Sequence, residues 1–151
     1  MLAGEMPWRA VVVTFAVLAG CPGDDPGGTL DGSVCGLVFD GVDAVRGAAE
    51  VAVRYKNGTE VVLNLAVSDA SSIVPGETVA LRPPTGSISR PPDSSFCELP
   101  EPCDPAVGPT EITFSSFEDE DGGAVAGEFL ACFADGTNAH GTFDTTLRVI
   151  R

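Results

Sequence analysis

Residues 48–67 of this chain read AAEVAVRYKNGTEVVLNLAV, and this stretch decides the fold class. Apolar side chains recur at every second position on both sides of Asn57-Gly58. A period of two places them on one face of a β-strand, and Asn-Gly between two such runs is a hairpin signal. The stretch therefore predicts an antiparallel hairpin with one apolar face and one polar face.

The alternation also predicts the register of this hairpin. A two-residue turn at 57–58 would pair Val61 with Arg54 and mix the two faces. A three-residue loop at 56–58 keeps one face apolar, and register follows burial, so we expect that loop, with Gly58 in the left-handed conformation. The predicted pairs are Val53 with Val61, Val51 with Leu63 and Arg54 with Glu60.

A second hairpin is predicted near the C-terminus. The residues FADGT at 133–137 repeat the pattern of YKNGT at 55–59. A three-residue loop at 134–136 would lay two phenylalanine rings over the glycines opposite them, where an aromatic ring covers backbone that glycine leaves bare. The predicted pairs are Ala131 with Ala139, Phe129 with Gly141 and Gly127 with Phe143.

The rest of the chain supports an all-β fold. Further strands are expected near 33–39, 77–82 and 111–117, and no stretch beyond residue 21 holds an apolar stripe at helical spacing for three turns. About seven regularly punctuated strands predict an antiparallel β-sandwich or a small β-barrel, stapled by disulfides. The pattern does not choose between these two architectures.

The segment 83–110 interrupts the strand pattern. It holds eight of the twelve prolines and two cysteines. Proline removes ladder donors, so we expect a loop rather than central sheet, and long loops are often functional. If the domain binds a partner, we expect this loop to contribute Phe96 and Leu99 as apolar anchors and Arg90 as its one positive charge; the alternative is a tolerated surface insertion.

The N-terminus has the features expected of an export signal. The apolar run VVVTFAVLAG at 11–20 is too short to span a bilayer but suits a signal peptide, and a start at Met6 would make the signal cleaner. The residues LAGC at 18–21 resemble the lipobox of bacterial lipoproteins. That resemblance implies a diacylglycerol on the thiol of Cys21, cleavage before it and acylation of the new amine.

Three regions follow from this resemblance. They are a signal peptide at 1–20, a lipidated cysteine with a flexible tether at 21–28, and a single all-β domain at 29–151. The resemblance implies a protein anchored in the cell membrane or the outer membrane and facing the periplasm or the exterior. The resemblance does not decide between the inner and the outer membrane. An ordinary secretory signal with an incidental cysteine is the alternative.

The charge of the chain excludes some partners. Its 22 acidic against 8 basic residues give a formal net charge of −14. Nucleic-acid binding needs clustered Lys and Arg, so we expect none. The same surplus repels anionic lipid headgroups, so membrane association requires the lipid anchor. The partners expected are the membrane, through that anchor, and an envelope protein.

The cysteine count suits an exported domain. One lipid site at Cys21 leaves four of the five cysteines, and an even number in an exported chain favours two disulfides. We expect Cys97 with Cys103, which are close in sequence, and Cys35 with Cys132, on first and late strands. Zinc would require paired C-x-x-C knuckles, which CELPEPC at 97–103 does not provide.

The remaining candidates for chemistry are few. His140 is the one histidine and is expected on the non-core face of a strand, opposite Leu130, rather than beside a nucleophile. After signal cleavage no Trp remains, and Tyr55 is expected to point inward, which argues against a sugar platform. No cofactor is expected, although hard oxygen ligands in one turn could hold Ca²⁺. These ligands are Glu118, Asp119, Glu120 and Asp121.

These observations predict a non-catalytic β domain with a binding or structural role. The first alternative is a Ca²⁺-dependent binding module that uses the acidic turn at 118–121. The second is a small hydrolase that works with carboxylates, for which the sequence spacing nominates no pair.

Overall fold

Nine β-strands and one short 3₁₀ turn form the regular structure of the described chain, which contains no α-helix. The computed structural model describes residues 27–32, 38–90, 103–104, 106 and 108–151. The all-β class is confirmed, with nine strands in place of about seven. The elements are β1 (Gly28–Gly32), β2 (Gly41–Arg46), β3 (Val51–Asn57), β4 (Glu60–Val67), the 3₁₀ turn (Ala70–Ser72), β5 (Thr78–Ala80), β6 (Gly86–Ser89), β7 (Glu111–Phe117), β8 (Ala124–Cys132) and β9 (Asn138–Val149).

The strands form one sheet that nearly closes into a barrel. Its order is β5-β7-β8-β9-β2-β3-β4-β6, with β1 beside β9 as a branch. One edge of the long strand β9 pairs with two strands in succession. Residues 139–143 of β9 pair with β1 in antiparallel orientation, and residues 147–149 pair with β2. The pairing of β2 with β9 is the one parallel pair among the described strands. The terminal strands β5 and β6 are joined by the short connection 81–85, where the Thr85 hydroxyl donates to the Ala80 carbonyl over 2.7 Å. The sheet therefore curls upon itself as a barrel rather than splitting into a sandwich.

The core lies inside this curled sheet. Alternate residues of β3 and β4 point inward, as the period of two predicts, and meet inward residues from β7, β8 and β9. Tyr55 is fully buried there, as expected, between Phe39 and Phe129 at ring-centroid distances of 5.2 and 5.6 Å. Edge-on ring contacts of this kind add to the burial of apolar area.

Some strand boundaries differ from those that the sequence predicts. Gly28, placed in the tether, begins β1 and pairs with Phe143. The strand expected near 33–39 is not formed by residues 38–39, which precede β2; residues 33–37 lie outside the described part. The strands expected near 77–82 and 111–117 are confirmed as β5 and β7.

The β8–β9 hairpin has the predicted register. Phe133 and Thr137 flank the loop, with the Phe133 amide donating to the Thr137 carbonyl over 2.8 Å, and Gly136 has a φ of 83°. A Cβ built on Gly127 would lie 2.7 Å from the ring of Phe143. The aromatic rings therefore cover the glycines as expected. The observed pairs include Ala131–Ala139, Phe129–Gly141 and Gly127–Phe143.

The predicted register of the β3–β4 hairpin is wrong. Asn57 pairs with Glu60 around a tighter turn, and the register shifts between Tyr55 and Lys56, leaving Val62 as the bulged residue. Both Asp40 carboxylate oxygens accept from the Gly58 amide, at 3.0 and 2.9 Å, which holds this turn. Leu63, Leu65 and Val67 still point inward, because a shift by an even number of residues preserves which side chains share a face. At the bulge, Val62 is buried in place of Val61, which pairs with Lys56. The observed pairs replacing those predicted are Val53–Leu65, Val51–Val67 and Arg54–Asn64.

The segment 83–110 is not wholly a loop. Its residues 86–89 form β6, which pairs with β4 at the end of the sheet order. A position at an end agrees with the expectation that the proline-rich segment lies outside the central sheet. Residues 91–102, 105 and 107 lie outside the described part.

The predicted disulfide pairing is also wrong. Cys103 is bonded to Cys132, with a Cα–Cα distance of 5.9 Å. Each predicted bridge used one of these two cysteines, so neither Cys97–Cys103 nor Cys35–Cys132 forms. The backbone amide of Cys103 donates to the Gly136 carbonyl over 2.9 Å, which brings the end of the 83–110 segment to the β8–β9 hairpin. Nearness in sequence therefore did not decide the pairing. Cys35 and Cys97 lie outside the described residues.

Candidate binding face

Arg90, expected to serve a binding loop, makes contacts within the domain. Its guanidinium lies 2.8 Å from the Asp135 carboxylate and 4.5 Å from the ring centroid of Phe133, and 18% of its side chain is exposed. Both partners belong to the tip of the β8–β9 hairpin, so Arg90 ties the end of β6 to that tip. The other two predicted binding residues, Phe96 and Leu99, lie outside the described part, as does Cys21.

The acidic turn between β7 and β8 is tied to neighbouring strands. Three of its four carboxylates already have protein partners, while all four residues are exposed. No group of three or more His, Cys, Asp or Glu side chains in the described ranges is placed to hold a metal ion. The side chains of the turn therefore tie it to β2, β8 and β9. The contacts are Glu118 with the Ala124 amide (2.8 Å), Asp121 with the Val149 amide (3.0 Å) and an ion pair of Asp119 with Arg46.

His140 lies where the sequence places it. It is an exposed residue of β9, directly opposite Leu130 of β8 on the outer side of the barrel. Its neighbours on that side are the outward residues of β7 and β8, among them Glu111 and Glu128. The histidine therefore belongs to an open surface shared by several strands.

Two rows of outward side chains cross this surface. One row runs through paired positions of five strands and consists of four threonines around a central glutamate. The hydroxyls of Thr78 and Thr113 lie 2.8 Å apart, and those of Thr29 and Thr142 lie 3.0 Å apart, so each pair is within hydrogen-bond distance. The first row is Thr78, Thr113, Glu128, Thr142 and Thr29, and the row beside it includes Glu111, Leu130 and His140.

Three adjoining depressions follow β8 along this surface. The first, of about 290 Å³, is lined by Glu111, Thr113, Glu128, Phe129, Leu130 and His140. The second, about 280 Å³, shares Thr113 and Glu128 with it and continues to Ser115 and Gly127. The third, about 290 Å³, shares Leu130 and continues to the Cys103–Cys132 disulfide and Asn138. We call these three depressions, which share lining residues and extend from Ser115 to the disulfide, the β8 groove.

Leu130 lies where two of the depressions meet. Four large apolar side chains of the described chain are exposed, and Leu130, at 39%, is the one that belongs to a strand. A single exposed leucine needs no explanation by itself. Its position at the centre of the β8 groove gives a partner an apolar contact surrounded by hydroxyls and carboxylates.

Lys and Arg are nearly absent from the strands of this surface. Strands β1, β5, β7 and β8 carry no Lys or Arg, and in β9 the single Arg148 lies beside β2. On the other half of the sheet Asp43 accepts from Arg54 through both oxygens, at 2.7 Å each, and from Lys56 at 3.2 Å. Positive charge is thus paired there, whereas the lining that Glu111 and Glu128 share contains neither Lys nor Arg.

Sequence reasoning found one part of this face and missed the rest. The β8–β9 register placed Leu130 opposite His140. Glu111, Thr113 and Glu128 were missed because their grouping depends on the β7–β8 register, which contains a bulge between Phe114 and Ser116. Their outward positions at every second residue were the available signal.

Comparisons with known proteins give no relative. Neither the family models, nor the curated proteins, nor the solved structures contain a match to this chain. Within the ranges that the structure describes, we find no helix with the length and apolar character needed to cross a membrane.

Proposed function

We propose that this chain is a lipid-anchored lipoprotein of the bacterial envelope whose barrel is a non-catalytic binding domain. The lipobox residues 18–21 after a short apolar run support the anchor. The β8 groove, with Leu130 at its centre, is the observation that carries the binding role. Binding sites combine apolar contact with a few placed polar groups, and this groove has both.

The proposed anchor would keep the groove near the membrane. Six residues separate Cys21 from Gly28, the first residue of β1, which makes seven residue steps. A fully extended chain of that length reaches about 25 Å. Because β1 belongs to the same five-strand surface as the groove, a partner would meet it close to the bilayer.

A carboxylate hydrolase is the rival for the same residues. Glu111 and Glu128 line one depression, and they occupy diagonal positions on neighbouring strands, which places the two residues roughly 7–8 Å apart. Hydrolases that use two carboxyl groups keep one as an acid in a sheltered environment. Glu128 is exposed and the depression is open to solvent, so we favour binding.

The anchor is tested by expressing the full chain in a Gram-negative host. We expect wild type to partition into detergent, and Cys21→Ser to become soluble or stay unprocessed. Wild type found wholly in the aqueous phase would contradict the lipoprotein assignment.

The binding role is tested with a photoreactive amino acid in the β8 groove. Ser115 is exposed and lines the groove, and Glu60, exposed on β4, is the matched control position. We expect a discrete crosslinked product in cells from position 115 and none from position 60. Equal products at both positions, or none at either, would refute the role, and hydrolysis of ester, peptide or glycoside substrates lost in Glu128→Gln would favour the rival.

A further inference from the structure

We propose that the occupant of the β8 groove is an extended, positively charged segment of another protein. The inference rests on the proposed binding role of this face and adds the chemistry of the partner. Three properties of the described residues carry it: the sign of the charge, the direction and length of the groove, and the position of Leu130.

The charge argument comes from the strands that form the groove. Glu111 and Glu128 both line its central depression, and neither Lys nor Arg is present in any of the three linings. Asp144, exposed on β9 next to the Thr142 position, adds a third carboxylate to the same half of the barrel. Such a surface attracts cationic groups over the range of a Debye length, about 8 Å at physiological salt, and favours encounter with a basic partner.

The shape of the groove fits an extended chain. The lining runs along β8 from Gly127 to Cys132, five residue steps that correspond to about 17 Å. An extended peptide of about six residues has the same length. Outward residues of β8 alternate with inward ones, so Glu128 and Leu130 are two positions apart. A partner with alternating side chains could place a basic residue at Glu128 and an apolar residue at Leu130.

Other occupants fit less well. A second copy of this chain would bring Glu111 and Glu128 against the same residues or against a protein of net charge −14, and like charges in contact are unfavourable. Anionic lipids and nucleic acids carry the same sign as the groove. A small polyamine matches the charge but makes no use of Leu130, so we treat it as a competing outcome of the test.

The test uses the full-length lipidated protein in an uncharged detergent and a synthetic probe. The probe is a blocked peptide of about six residues in which arginine and leucine stand two positions apart, with serine between them, so that both face the groove. Two comparison ligands are the same peptide with glutamate in place of arginine, and spermine. The variants are Glu111→Gln, Glu128→Gln and their double variant. Glu60→Gln, which removes one charge at the exposed first residue of β4, is the control.

We expect the basic peptide to bind and the acidic peptide not to bind. Each groove substitution should weaken binding about two- to fivefold, as expected for exposed charge pairs, and the double variant about tenfold. Glu60→Gln should leave binding unchanged, and Leu130→Thr should weaken the peptide but not spermine. Thermal unfolding of each variant confirms that the barrel is intact.

Three outcomes would overturn the inference. Equal weakening by Glu60→Gln would indicate attraction to the total charge rather than to the groove. If spermine binds as tightly as the peptide, the occupant of the groove would be a small polycation rather than a protein segment. Absence of peptide binding, combined with a crosslinked partner at Ser115, would leave the binding role standing and refute the cationic chemistry.

Discussion

The hydroxyl of Tyr55 donates a hydrogen bond to the carbonyl oxygen of Thr142 over 2.7 Å. This contact joins β3 to β9, which are not neighbours in the sheet, and the donor is fully buried. It therefore links the half of the barrel that carries the groove to the other half, at the level of the threonine row.

This contact predicts the alkaline behaviour of the protein. Burial raises the pKa of Tyr55 above its usual value, so the folded state favours the protonated phenol. The stability from this group is complete below the unfolded pKa, about 10, and is lost as pH rises towards the folded pKa. Since Tyr55 is the single tyrosine, phenolate absorbance should appear together with unfolding. Absorbance that rises before unfolding would contradict the buried position.

Removing the same hydroxyl tests the link between the halves. Tyr55→Phe should lower the free energy of unfolding by about 1 kcal/mol, the usual net value of one hydrogen bond. Denaturant unfolding measures this, and Val74→Ala, at an exposed apolar position outside the strands, serves as the control. A change no larger than that of the control would show that the hydrogen bond contributes little.

The glycines under the aromatic rings should not tolerate a side chain. A Cβ at Gly127 would clash with the Thr113 carbonyl and the Phe143 ring, so Gly127→Ala should destabilise the barrel by about 1–3 kcal/mol or more. Gly41→Ala is the matched control, because nothing lies within 4 Å of its Cβ. Thermal unfolding compares the two, and similar melting temperatures would argue against the predicted ring packing.

The disulfide pairing has a direct chemical test. Cys103 and Cys132 should be linked to each other. Trypsin cannot separate the cysteines at 97, 103 and 132, since the next basic residue after Arg90 is Arg148. A glutamate-specific protease cuts between 97 and 103 under non-reducing conditions. Recovery of a Cys97–Cys103 link would contradict the structure.

The ion pairs of Asp43 predict that the folded protein loses stability in acid. Burial would raise the pKa of Asp43, but hydrogen bonds and charges from Arg54 and Lys56 outweigh this and lower it. The stability is therefore present above the unfolded pKa, about 3.9, and lost as pH falls through the folded pKa. Melting temperatures between about pH 6 and pH 2 should fall more steeply for wild type than for Asp43→Asn. Parallel curves would assign the acid sensitivity to other carboxylates.

A substitution at Arg90 distinguishes a structural role of this residue from a binding role. Replacing it with Met removes the contacts with Phe133 and Asp135 and should cost about 1 kcal/mol of stability. Binding of the basic peptide at the β8 groove should stay unchanged. Weaker peptide binding at unchanged stability would return Arg90 to the role that the sequence suggested.

The sequence pattern was sufficient to predict the register of a hairpin where residues within that hairpin restrict the pairing. The β8–β9 register followed from sequence because each phenylalanine has a glycine to cover, and only one register satisfies both pairs. In β3–β4 the alternation is uniform, so several registers bury the same residues. The choice among them depends on Asp40, which lies outside the hairpin and holds the Gly58 amide.

The sequence by itself determined the all-β class, the inward and outward faces of the main strands, and the surface position of His140, because alternation and turn chemistry act over a few residues. Tertiary structure alone decided the barrel, the Cys103–Cys132 bridge and the β8 groove. Each of these joins segments that are distant in the chain. Their contacts depend on strand order and on the bulge in β7, neither of which periodicity within one strand can specify.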